Sequence, residues 1–160
     1  METNTLTFSN LEKALENFVN DFVSTYKSLL IRDNKKASGD LVNSIKPLNI
    51  EFKSSKYTGS ISLKNYWKYV EYGRKPGKFP PTKNILKWIK VKPILPRPVS
   101  GIKPTEKQLA FLISRKIARD GIKPGNQFEE ALNLVWNKNE KLISDAITKD
   151  LSETIDMIKL

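Results

Sequence analysis

A chain of 160 residues is long enough for a domain with a real core, and its 39% hydrophobic and 28% charged content belongs to a folded protein rather than a disordered one. It contains neither Cys nor His, which removes disulfides, Cys–His zinc sites and His-based acid–base or triad chemistry. The net charge of +11 is concentrated: residues 64–123 carry 16 Lys/Arg against 3 Asp/Glu, residues 1–63 carry 8 against 7, and residues 124–160 carry 4 against 7. Such a basic stretch attracts nucleic acid, acidic proteins or anionic lipid; the plain alternative is a solvated lysine-rich face. No apolar run is long enough to span a bilayer, and residues 1–10 lack a basic region followed by an apolar one. Neither a membrane partner nor a signal peptide is expected.

Residues 9–33 predict a helix. Ser9 with Glu12 makes a capping box, and Leu11, Leu15, Phe18, Val19, Phe22, Val23, Tyr26, Leu29 and Leu30 recur at helical spacing. A short helical turn with a glycine at its start follows over residues 37–45. Leu48, Ile50 and Phe52, then Tyr57, Gly59, Ile61 and Leu63, alternate with polar neighbours and predict two strands joined by a hairpin at residues 53–56. Residues 66–70, Tyr-Trp-Lys-Tyr-Val, suit strand or helix; their aromatics are expected to pack core and rim rather than stack bases.

Thr82 is expected to cap a short amphipathic helix with Ile85, Leu86, Trp88 and Ile89 on its apolar side. Residues 93–104 form a proline-rich extended loop, and eight of the nine prolines lie between Pro76 and Pro124. Thr105 with Gln108 is a second capping box, opening a helix that Gly121 ends as a C-terminal glycine, with Pro124 just beyond. Asn126 with Glu129 starts a last, long helix whose apolar positions run from Phe128 to Ile158, interrupted at Asn139, where a bend is expected. That helix packs either entirely onto its own domain or also onto a neighbouring subunit. The whole is an α+β fold: long N- and C-terminal helices packed on a small antiparallel sheet, in one domain (1–160) with a proline-rich basic loop and short-helix insertion at about 73–124.

The candidate site is the stretch from Tyr69 to Pro81. Proline fixes φ and removes a donor, and glycine opens positive φ, so this is a shaped, exposed loop and not a regular element. It presents Arg74, Lys75 and Lys78, with Tyr72, Gly73 and Gly77 shaping it; Arg97 and Lys103 in the second loop are placed to converge on the same partner. Glu71 is its one carboxylate. With no nucleophile, base or convergent acid pair beside it, no catalytic residue, cofactor or metal is expected.

Three segments in this order resemble a known family. They are Ser38-Gly39-Asp40-Leu41-Val42-Asn43-Ser44-Ile45, Tyr69-Val70-Glu71-Tyr72-Gly73, and Phe128-Glu129-Glu130-Ala131-Leu132. Together they are similar to the small tail-component, tail-completion and head–tail joining (neck) proteins of long-tailed bacteriophages. One branch resembles the chain further, at Arg74 to Pro81, Ile85 to Ile89 and Leu109 to Gly121. The usual Arg-Pro-Phe before the last helix is here Lys123-Pro124-Gly125-Asn126-Gln127-Phe128. The resemblance implies a non-catalytic structural virion subunit, made in the host cytoplasm and assembled into an oligomeric ring in the neck or tail. Its partners would be further copies and other neck, tail or portal-associated proteins, and double-stranded DNA would pass through the channel during ejection. A stand-alone basic nucleic-acid-binding protein is the alternative; no helix-turn-helix, zinc or RNA-binding signature supports it.

Overall fold

The computed structural model describes residues 8–35, 38–92, 94, 96, 98 and 103–158. Its fold is α+β. Six helices, α1 (Ser9–Arg32), α2 (Asp40–Ser44), α3 (Trp67–Glu71), α4 (Thr82–Val91), α5 (Glu106–Asp120) and α6 (Gln127–Ile158), accompany four short strands, β1 (Lys46–Pro47), β2 (Glu51–Lys53), β3 (Lys56–Thr58) and β4 (Ile61–Ser62). The chain divides into two compact units. One comprises Met1–Leu29, Ser44–Leu63 and Gln127–Leu160; the other comprises Leu30–Asn43 and Lys64–Asn126.

The first unit holds most of α1, the strands and α6. The apolar face of α1 supplies its core: Val19, Phe22, Val23, Tyr26 and Leu29 are buried, with Ile45, Ile50, Ala131 and Val135 from the other elements. Phe22 and Tyr26 meet Phe128 edge-on, with ring centroids 4.8 and 5.4 Å away. Antiparallel pairing joins β1 to β4 and β2 to β3. Three residues separate β1 from β2 but only two separate β3 from β4, so the ribbon carries a one-residue bulge opposite Gly59. The bulge turns Leu48 away from the face of Ile50. Leu48 is exposed and Ile50 buried, where simple alternation placed them together. A Cβ at Gly59 would lie 2.8 Å from Val19 Cγ2, so glycine here lets the ribbon approach α1.

Ser54 and Ser55 join β2 to β3 with φ of 50° and 60°, the double left-handed geometry of a type I′ turn. Serine pays for that conformation and Asn-Gly does not. The double substitution S54N/S55G is therefore expected to raise stability by about 1 kcal/mol, read as a higher urea midpoint with unchanged slope.

The cap of α1 differs from expectation. Its first free N–H groups, those of Asn10 and Leu11, donate to Asp150 of α6 at 3.0 and 2.8 Å, and the Asn10 side chain adds a 2.7 Å bond. Ser9 and Glu12 are not the pair that closes this end. The helix α6 runs unbroken through Asn139, which is buried and donates to Asp21 of α1 at 3.2 Å and to the Val135 carbonyl at 3.0 Å. Lys138 adds a 2.8 Å ion pair to the same Asp21, and this bond, followed by that of Asn139, holds the Asp21 carboxyl below its ordinary value.

In the second unit, Asn34 stands left-handed (φ 53°) just past α1. Lys35 N–H donates to Leu30 O and Asn34 N–H to Ile31 O, at 2.9 and 3.1 Å, which is the Schellman closure. The Thr105–Gln108 box opens α5 as expected, and Gly121 at φ 74° closes it. The helix α4 begins differently. Pro81 occupies the capping position and Thr82 is already helical, so Thr82 is not the cap. The helices α4 and α5 carry the buried Ile89, Ala110 and Ser114. No helix among the described residues is long and apolar enough to cross a membrane.

Candidate docking loop on the basic unit

The loop after α3 is fixed by backbone, not by its cations. Arg74 N–H donates to Ile122 O at 2.9 Å, and Ile122 N–H returns the bond to Arg74 O at 2.8 Å. Glu71 O accepts from Gly125 N–H at 2.8 Å, and Gly77 N–H donates to Ala118 O at 2.7 Å. The loop thus lies along the C-terminal end of α5 and the segment that follows it. Two glycines make this approach possible. A Cβ on Gly73 would fall 2.2 Å from Ile122 O, and one on Gly121 would fall 2.3 Å from Arg74 O. Both also sit at positive φ, 67° and 74°. Gly77 has φ 130° but open space around it.

The individual site residues divide accordingly. Gly73 is buried and shapes the loop, while Tyr72, Lys75, Gly77 and Lys78 are exposed. Arg74 is half-buried, and its guanidinium donates to the Lys78 carbonyl within the loop. That bond braces the loop through one guanidinium nitrogen. Lys103 is exposed and lines, with Ile89, Lys90, Glu106 and Leu109, a groove of about 280 Å³ to which residues 72–78 do not contribute. Arg97 lies outside the described residues, as does most of the proline-rich loop. Glu71 is buried in this unit.

Aromatic placement also departs from the sequence reading. Residues 67–71 are helical, with Trp67 and Val70 half-buried but Tyr69 63% exposed. Phe79 lies beside Phe111 of α5, ring centroids 5.7 Å apart, and both remain exposed. Phe111 and its neighbours on α5 were not among the candidate residues; the helical spacing of Lys107, Phe111 and Arg115 was legible, but its nearness to Phe79 follows only from the fold of the loop.

Charge follows the structural division. Over the residues of the second unit the sequence has 19 Lys/Arg against 5 Asp/Glu, net +14; over those of the first it has 9 against 12, net −3. The first unit also exposes an apolar stripe on the C-terminal half of α6, formed by Ile147, Leu151, Ile155 and Ile158. No group of three or more acidic side chains able to hold a metal occurs among the described residues. Compared with known proteins, the chain matches no family model, no curated protein and no solved structure.

Proposed function

We propose that this chain is a non-catalytic structural subunit of a bacteriophage particle. It would form a ring in the neck or tail that joins head to tail and lets DNA pass. The observation that carries this reading is the partition of charge by structural unit, +14 on one and −3 on the other. A chain with one basic and one acidic unit offers complementary surfaces for head-to-tail contact between copies, and such contacts form a ring when their rotation closes. The exposed stripe on α6 supplies apolar area of the kind that permanent interfaces bury. The order of sequence segments shared with phage tail-completion and neck proteins points the same way.

In this reading Lys75 and Lys78 meet an acidic neighbouring subunit, and the double-stranded DNA of the channel is not their main partner. A channel lined with tightly bound phosphate contacts would oppose DNA transit. The test replaces Arg74, Lys75 and Lys78 together by Ser in the particle. Heads and tails are expected to accumulate unjoined, seen by electron microscopy of lysates, while the purified variant keeps its helical circular dichroism. Normal particles with full heads on tails would remove this loop as the docking element. The native mass of the wild-type chain checks the ring directly.

A further inference from the structure

We propose that the outer face of α5, together with the loop lying on it, binds single-stranded nucleic acid by stacking bases on Phe79 and Phe111. Phe79 and Phe111 stand 5.7 Å apart and are 44% and 52% exposed. An exposed phenyl pair stays partly in water at a cost that a flat apolar partner relieves. Cations surround the pair. Lys107 and Arg115 lie one helical turn to either side of Phe111 on the same face of α5, and Lys78 precedes Phe79. All three are exposed, and no carboxylate pairs with any of them among the described residues. The acids of α5, Glu106 and Asp120, fall on the opposite side of the helix by their spacing from Phe111.

Single-stranded nucleic acid is the occupant that uses both halves of this surface. Every base has a face to stack on an aromatic ring, and every nucleotide carries a phosphate for a lysine or arginine. A duplex hides its base faces and would leave the phenyl rings unused. An acidic peptide would need only a few local cations, whereas the excess of 19 over 5 extends over the whole unit and suits a continuous polyanion. This inference concerns the free chain; it shares Lys78 and Phe79 with the docking loop but turns on Lys107, Phe111 and Arg115 of α5, which the docking loop does not require.

The experiment measures anisotropy of a fluorescein-labelled 20-nucleotide oligo-dT, an unlabelled duplex of the same length and poly-glutamate serving as competitors. The wild-type chain is expected to bind oligo-dT more tightly than duplex. The double variant F79A/F111A is expected to lose at least tenfold in oligo-dT affinity, since each stacked base is worth about 1–3 kcal/mol. Its duplex binding should change less than twofold. K107S/R115S should lower the salt slope for oligo-dT by about 1.4, at about 0.7 per phosphate contact on a single strand. Should circular dichroism show F79A/F111A unfolded, the salt slope of K107S/R115S decides alone. A loss below tenfold in the folded phenylalanine variant, an unchanged salt slope, or duplex or poly-glutamate binding tighter than oligo-dT would overturn the proposal.

Discussion

Gly73→Val is expected to unfold the second unit or leave it barely stable, at a cost of roughly 4 kcal/mol or more. Two effects combine. The backbone at Gly73 sits at φ 67°, which a β-branched residue adopts only at high cost. The new Cβ would also lie 2.2 Å from Ile122 O and 2.8 Å from Pro124 N. Those are backbone atoms and cannot swing aside as the end of a side chain would. The paired bonds between Arg74 and Ile122 would have to open, and with them the seat of the whole loop. Gly77→Val separates the two effects, because its φ of 130° is strained but no atom lies within 4 Å. It should cost only about 1–3 kcal/mol. Lys56→Ala, at the exposed hairpin, should stay within about 0.5 kcal/mol. Urea unfolding of the three variants gives the ranking; Gly73→Val no worse than Gly77→Val would show that the backbone bridge does not hold the loop.

The same glycines show where the sequence was readable. Gly121 behind a helix, with Pro124 following, is a local signal, and the Thr105–Gln108 box is another; both describe the ends of α5 as they stand. Helical periodicity set α1 and α6 within a residue or so of their observed limits, because one apolar face per element suffices to fix them. The bridge from Arg74 to Ile122 joins residues far apart in the chain and left no trace in either segment. The same holds for the bulge opposite Gly59, which requires knowing both strands, and for the bond from the Arg74 guanidinium to the Lys78 carbonyl. The aromatics of residues 66–70 predict core and rim packing, yet Tyr69 is 63% exposed. Its helix is about a turn and a half long, and which ring it leaves in water is a fact of tertiary placement only.

Asp150→Ala is expected to destabilise the first unit by about 2–3 kcal/mol, the sum of a lost helix cap and partly buried donors left without an acceptor. Asp150 is 4% exposed and takes the N–H groups of Asn10 and Leu11, the end of α1 where backbone donors and the helix dipole both favour a carboxylate. Burial alone would push this carboxyl up. The bond from the Asn10 side chain and those from the Leu11 and Asn10 backbone together outweigh it and hold the group below its ordinary value. The sign of the pH effect follows. A carboxyl with a depressed folded value contributes its full stability above the unfolded value, about 3.9, and loses it as pH falls through the folded one. The gap between wild type and Asp150→Ala should be constant from neutral pH down to about 5 and narrow below about 4. Asp150→Asn keeps the shape but not the charge and should cost about 1 kcal/mol at neutral pH, its gap to wild type narrowing over the same pH range because the same titrating group is lost. Amide exchange adds a local readout. Residue 150 is the buried polar anchor of a helix segment in which Leu142, Ile147, Leu151, Ile155 and Ile158 are exposed, so Asp150→Ala should speed exchange over residues 142–158 before it affects residues 127–139. A gap that widened toward pH 3, or exchange that quickened equally along all of α6, would mean that Asp150 is not what ties the end of that helix to the start of α1.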